Sequence, residues 1–588
     1  MSIDVLRLVK SISNGAVPRN LESYVLDFKQ EKATFKETAA DLAEACVCFA
    51  NAGGGTLILG IRDNPGGPDA IVGTETSDAD LRSKIHELTQ PPLTVSISEH
   101  RYDTVRLLEI TVPEGLEVYA TTKGEYRQRW RDECRPMSPA EVGRLSEERK
   151  GDDWSAAASD SSIDDVHPVA IDRLRELLRA TGDDTKVKLS QAPITDVLAR
   201  LGLLCDRGQL TRAGEILLVD QGRSGPPELL VYQHRKSKGG EADYSRRWNG
   251  PLITCFAEAL EIIGARTTVT PVTLRNGQQI QIEDFPSSAV REALANALIH
   301  RDLVDNQPVL VEHSPSALTI RSPGPLVSGV TPENILTRGT KPRYPLLARA
   351  FNNLGWSEYL GQGVNRMFRE MARSGRPLPV ITSEPERVEV VFSGERPNAH
   401  VARVTAELPE NLADDTDTLI VLMTLCSRRS VTAAQISPLI QRSIESAEET
   451  LRTACKPDVE LLEPTAGTRN RKHPHYRFRG DLLARLGSAV TYHSRTSSEV
   501  DKKIIEHVRE YDSINNAAIQ RLFDVDVYSA RDILQDLVGR EILTRTSTQT
   551  RGKAVRYGKG PKFPDKKASR LRRSQKNEQL EHEQLELL

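Results

Sequence analysis

FANAGGGTLILGIRD, residues 49–63, is the stretch from which the fold of the first domain is read. Upstream of it, Lys36–Asn51 carries Ala39, Leu42, Ala43, Ala45, Cys46 and Phe49 at helical spacing, and Gly53, Gly54 and Gly55 end that helix. TLILGI is then an unbroken apolar run, the pattern of a strand buried on both faces, and RDNPGG is its turn. A helix feeding a buried strand predicts an α/β layer. It puts Asp63 at the carboxyl end of that strand, where sites collect in α/β domains.

Working outward, LESYVLDFKQE (21–31) places Glu22 and Asp27 five apart, with Lys29 two further on. A strand over Val25–Phe28 has a period of two, so Asp27 and Lys29 point to one side. Glu22, Asp27 and Asp63 brought together would repel one another. They persist with a cation such as Mg²⁺ or Mn²⁺, or with a basic partner. Hard metals held by carboxylates hydrolyse phosphodiesters, and Lys29 would neutralise the phosphate. The plainer alternative is a solvated strand edge.

The 588 residues are too many for one core and suggest roughly three to five domains. Composition is that of a soluble globular chain, and the formal net charge of −3 points to no particular partner. No apolar run is long enough to span a membrane, and MSIDVLRLVKSISNG has no signal-peptide core, so a cytoplasmic protein is expected. The seven cysteines form no CxxC pair and read as reduced thiols without zinc.

The expected layout is a first α/β domain over 1–150, a Ser/Asp/Ala-rich linker at 151–165, a second α/β domain over 166–396 and a second linker at 397–416. Two units then share one order, three helices followed by a basic hairpin, at 417–484 and 497–560. That order describes a winged helix-turn-helix. A basic then acidic tail, 561–588, closes the chain. The fold class is multidomain α/β plus α+β. In the first domain, EYRQRWR (125–131) alternates Arg127, Arg129 and Arg131 with Tyr126, Gln128 and Trp130. One face would suit phosphates and the other stacked bases.

The set ESxxLDFK, FANAGGGTLILGIRD and GEYRQRWRDE resembles the Schlafen AlbA-type domain over residues 20–145. The resemblance implies nucleic-acid contact. In nuclease members an acidic triad of this spacing cleaves RNA, so carry-over gives Glu22, Asp27 and Asp63 as catalytic metal ligands, with Lys29 beside them. The family more often has Glu where Asp27 stands, and often an acid where Arg62 stands.

In the second domain, SSAVREALANALIHRD (287–302) sets Glu292, Asn296 and His300 on one helix face. IRSPGPL (320–326) and GQGVNRM (361–367) are glycine-containing loops, the second running into a helix whose first N–H groups could cradle phosphate. The ordered set ExxxNAxxH, SPGxL, GxGxxR resembles a GHKL-type (Bergerat) ATPase domain over about 170–390. The resemblance implies ATP and Mg²⁺ as cofactors, Glu292 as general base, and Asn296 as Mg²⁺ ligand. His300 and Arg366 would belong to the site, and Gly324, Gly361 and Gly363 would lie near the nucleotide. RSPGP stands where the family has DxGxG, and TKPRYP (340–345) where it has SRNP.

Cations in the last units supply a DNA or RNA footprint: Arg442, Arg469, Arg471 and Lys472 in the first, Arg531 in the second, and Lys566, Lys567, Arg572 and Arg573 in the tail. Two functions follow. One is a metal-dependent nuclease of defence or stress response, controlled by ATP. The other is an ATP-responsive regulator that binds DNA without cutting it. Either would form a homo-oligomer and neither involves a membrane. A small-molecule enzyme finds no support in winged helices and a basic tail.

Overall fold

The computed structural model describes residues 4–205, 208–220, 228–303, 305–339, 341–357, 361–457, 459–465, 467–490, 497–523, 527–547, 549 and 555–564. The chain divides into two compact units, Met1–Ala489 and Val490–Leu588.

The first unit opens with a four-stranded sheet. Leu26–Lys29 pairs in parallel with Gly55–Leu59, which pairs antiparallel with Val105–Val112, and that strand with Ser96–Tyr102. The parallel pair needs a crossover, supplied by the helix Phe35–Ala50. A capping box between Thr34 and Glu37 starts that helix, and losing such a cap costs about 1 kcal/mol. The run TLIL is apolar on both sides because both faces of the sheet are covered. Leu57 and Leu59 pack with Leu42, Cys46 and Phe49 of the crossover helix. Ile58 packs with Phe28 against Val5, Val9 and Ile12 of the amino-terminal helix Val5–Ser13.

All three glycines have geometric reasons, Gly55 because a Cβ there would run into the Phe49 ring. Gly54 has φ +76°, and a Cβ there would lie 2.7 Å from the backbone of Val112 and Glu114. Gly53 lies so close to Gly329 that its Cβ would sit 2.9 Å from the Gly329 Cα. Beyond them, Asn51 is fully buried and fully used. Its amide donates to the carbonyls of Tyr119 and Arg127 at 2.7 and 2.8 Å and accepts from the Tyr119 N–H. This pins the hairpin Arg127–Trp130 and Glu133–Pro136 onto the crossover helix. A disulfide between Cys48 and Cys134 ties the same two elements, which corrects the reading of all seven cysteines as reduced thiols.

Residues 151–165 are folded rather than a free linker. Ala158–Ser162 forms a strand paired with Gln209–Thr211. A six-stranded sheet follows, in the order Ala242–Trp248, Leu230–Arg235, Val309–Ser314, Ala317–Pro323, Arg387–Ser393, Val380–Ser383. One face carries the helices Leu252–Arg266, Ser287–Ile299 and Gly363–Arg373, and it holds the largest core of the unit. The other carries a charged ladder in which Arg321 binds Glu389 and Glu312, and Arg235 binds Glu312. One face buried and one polar gives the alternation seen in VLVEHS and ALTIRSP, and makes the domain a two-layer α/β sandwich.

Residues 397–416 are likewise folded, with helices Ala399–Ala406 and Glu410–Ala413. Next come helices Thr416–Ser427, Ala433–Ile440 and Ile444–Thr453, then the strands Leu462–Pro464 and Tyr476–Phe478. The second unit repeats that order with helices Ser497–Tyr511, Asn516–Phe523 and Val527–Gly539 and the strand pair Leu543–Arg545 and Tyr557–Lys559. Its own core includes Ile504, Val508, Ile519, Leu534 and Leu537. Among the described residues, no helix is long and apolar enough to cross a membrane.

Candidate functional site

A cavity opens between the helix Ser287–Ile299, the helical face of the six-stranded sheet and the start of the helix Gly363–Arg373. Helical spacing delivers Glu292, Asn296 and His300 to one wall of it, as the sequence predicts. Ile320, Ile381, Val388 and Val390 form an apolar floor, with Ser322 among them. Gly361 and Gly363 edge the opposite wall. A Cβ at Gly363 would collide with the Glu292 carboxylate, so glycine is what lets the helix start close upon it.

Glu292 is 2 % exposed, and its Oε2 has no hydrogen-bond partner. Burial raises its pKa above the ordinary carboxylate range, although Arg366, Arg291 and a hydrogen bond with Asn296 pull the other way. A buried acceptor without a partner costs about 1–3 kcal/mol, so an oxygen left this way beside a cavity fits a site that receives a donor from outside. His300 is pushed down to about 4 by burial and by Arg343, and is neutral near pH 7. Gly324 departs from its predicted place. With φ +84°, it packs on Asp302 and Arg343 and does not line the cavity.

The residues present fit a nucleotide. The apolar floor suits a base, and the Ser322 hydroxyl, which donates to the Ala297 carbonyl at 2.7 Å, keeps lone pairs for an amino group. Arg338 and Lys341 also line the cavity and suit phosphates. Sequence reading missed both. The signal for Lys341 is the cationic TKPRYP stretch, 340–345, and Arg338 lies just before it.

In the first domain, the strand Leu26–Lys29 turns Asp27 and Lys29 to the same side, and the Lys29 Nζ lies 2.9 Å from Asp27 Oδ2. Arg129 Nη1 is 3.3 Å from the same oxygen. The basic partner of this acid cluster is therefore protein. Glu22 shares a hydrogen bond with Asp27 and feels the charges of Asp27 and Asp63. Burial first, and then these two acids, push it up to about 7. Burial pushes Lys29 down, but Asp27, with Asp41 and Asp63, carries it above its ordinary value. Among the described residues, no group of three or more His, Cys, Asp or Glu side chains is placed to hold a metal ion. The expected three-carboxylate metal site is corrected accordingly: the acids interact, but Asp27 already has its cations, and Asp63 is exposed at the strand end.

The reading of Arg127, Arg129 and Arg131 as one phosphate-facing row is also corrected. Arg129 is buried, donating to the carbonyls of Ser23 and Leu26 at 3.1 Å, with its guanidinium 4.9 Å from the Phe49 ring centre. Arg127 pairs with Glu44 at 3.0 Å. Arg131 sits at the hairpin turn with φ +55° and bonds Tyr24. Arg442 is held by Asp417 and is not a free contact. Arg469, Arg471 and Lys472 are exposed between the strands of their hairpin, and Arg531 is exposed beside Tyr528 on the third helix of the last unit. Lys566, Lys567, Arg572 and Arg573 lie outside the described residues.

With this geometry in place, comparison with known proteins adds two family matches. Residues 22–138 match the family described as Schlafen, AlbA_2. Residues 306–392 match the one described as putative ATP-dependent DNA helicase recG C-terminal. The chain thus carries a Schlafen AlbA_2-type domain followed by a recG C-terminal, ATPase-like domain, the two recognised in its motifs. No curated protein matches the chain. Among solved structures, the DIP2311 protein from Corynebacterium diphtheriae is similar at 26% identity and a TM-score of 0.49, covering 82% of this chain and 98% of that one.

Proposed function

We propose that the chain is a nucleotide-responsive nucleic-acid-binding protein in which the cavity beside Glu292 takes ATP. The observation that carries this reading is the Glu292 carboxylate, buried and unpartnered at Oε2 on the wall of a cavity that also holds Asn296 and the start of a glycine-led helix. Bound ATP with Mg²⁺ would supply a phosphoanhydride to be hydrolysed. Glu292, its pKa raised by burial, is then the group to accept a proton from water. Asn296 is the ligand available for Mg²⁺, and Ser322 stands two residues before Gly324, where it can accept from a base amino group.

Nucleic acid would be held by two winged-helix units through Arg469, Arg471, Lys472 and Arg531, with the tail cations adding non-specific affinity. Cations already bound to Asp27 support a structural role for the acids of the first domain, so binding without cutting is the favoured reading. A nuclease is the second reading, supported by Glu22. A carboxyl titrating at about 7 beside Asp63 is suited to general acid–base work on a phosphodiester. The two separate in one assay: cleavage of labelled tRNA, other RNA and single- and double-stranded DNA with Mg²⁺ or Mn²⁺, with and without ATP, beside Asp63→Ala. Binding without cutting is expected. Cutting that is lost in Asp63→Ala would install the nuclease reading instead.

A further inference from the structure

Glu114 follows the strand Val105–Val112 of the Schlafen-type domain, yet its carboxylate reaches the nucleotide cavity's own cations. Its Oε2 lies 2.7 Å from Arg338 Nη2, and its Oε1 2.9 Å from Lys341 Nζ. Among the described residues lining the cavity, Arg338 and Lys341 are the two that carry a permanent positive charge. Burial alone would raise the Glu114 pKa, but bonds from Lys341 and Arg338 outweigh it and hold the carboxylate below its ordinary range.

The surrounding contacts are built for this approach. Ser328 hydrogen-bonds the Ala52 carbonyl at 3.1 Å through its hydroxyl and Glu148 at 3.2 Å through its N–H. Gly329, with φ +81°, leaves room for the Glu114–Arg338 pair, since a Cβ there would lie 2.7 Å from the Arg338 guanidinium. The segment is also gripped from the helical unit behind it. Gln441, in the turn between Ala433–Ile440 and Ile444–Thr453, accepts from the Leu336 N–H and donates to the Pro332 carbonyl, both at 2.7 Å. One wall of the cavity is thus bonded both to the Schlafen-type domain and to a helix-turn-helix turn.

We propose that Arg338 and Lys341 are the triphosphate-binding cations of this cavity, and that Glu114 competes with the phosphates for them. The proposal rests on the cavity being a nucleotide site. A triphosphate carries several negative charges against one on Glu114, so it draws both cations inward. The Glu114 contact then breaks, and the wall that docks the Schlafen-type domain is released. Linkage makes this reciprocal: whatever affinity the nucleotide loses to Glu114, docking of the wall loses to the nucleotide.

The test uses the full chain and a fluorescent ATP analogue, with non-hydrolysable ATP analogue and adenosine as competitors. Glu114→Gln removes the rival carboxylate and is expected to tighten the ATP analogue by roughly three- to tenfold, with adenosine unchanged. Arg338→Gln with Lys341→Gln is expected to weaken the ATP analogue at least about tenfold, again with adenosine unchanged. Thermal melting checks that each variant folds. Should Glu114→Gln fail to fold, the ratio of ATP analogue to adenosine affinity in the cation-side variant decides the matter. An unchanged ratio in that variant overturns the proposal and leaves the nucleotide site standing, as does an unchanged ATP-analogue affinity in folded Glu114→Gln. Wild-type chain that binds neither ligand overturns the nucleotide site itself, and the proposal with it.

Discussion

Arg129→Met separates a structural arginine from a nucleic-acid contact. The native guanidinium donates to two backbone carbonyls, Ser23 and Leu26, and lies 3.3 Å from the buried Asp27 carboxylate. Breaking one side of a buried pair costs about 3–5 kcal/mol. Lys29 and the Phe28 N–H still serve Asp27, which points to the lower end of that range. Two carbonyls losing a donor add about 1 kcal/mol each when water does not replace it. Methionine keeps most of the packing on Phe49 and adds no further cost, so the sum is about 5 kcal/mol. With an m-value of about 2 kcal/mol/M, the first urea transition moves down by roughly 2.5 M. Trp130, next in sequence and stacked under Arg135, reports it by fluorescence. A midpoint shift under about 0.5 M, together with weaker nucleic-acid binding by the folded variant, would refute the structural assignment.

Other expectations are as concrete. Glu292→Gln keeps ATP-analogue binding within about threefold and abolishes any hydrolysis, read by phosphate release, since the amide keeps the shape but accepts no proton. Glu22, raised to about 7 from 4.5, binds more protons folded than unfolded, so its contribution is full below pH 4.5 and is lost as pH rises toward 7. After discounting for half exposure, that loss is about 1–2 kcal/mol, and Glu22→Gln removes it from a urea stability profile taken across pH 4.5–8. Arg469, Arg471 and Lys472 changed together to alanine lower the slope of log affinity against log salt by up to about 2–3, measured by anisotropy with labelled duplex DNA.

Much of the fold was legible in the chain because periodicity is local. FANAGGGTLILGIRD carries its helix end, its glycine turn and its doubly buried strand within fifteen residues. The helix face of Glu292, Asn296 and His300 was legible for the same reason. What failed was long-range. Arg129 falls on the expected phosphate-facing row because nothing near it in sequence shows that it reaches back to Ser23, Leu26 and Asp27. The Ser/Asp/Ala composition of 151–165 suggested a linker, but a strand with weak propensity forms there once Gln209–Thr211 is available to pair. Cys48 and Cys134 lie 86 residues apart in sequence and meet where Asn51 and Arg127 tie the hairpin to the helix. Arg338 and Lys341 sit in a segment without periodicity, so only the folded cavity revealed them.

The most direct measurement is the affinity of the full chain for labelled DNA and RNA with and without saturating ATP and Mg²⁺, by fluorescence anisotropy at two salt concentrations. The account predicts nucleic-acid binding that weakens with salt and changes severalfold when the nucleotide is added, with Glu292→Gln responding like the native chain. Identical affinities with the cavity filled and empty would contradict it.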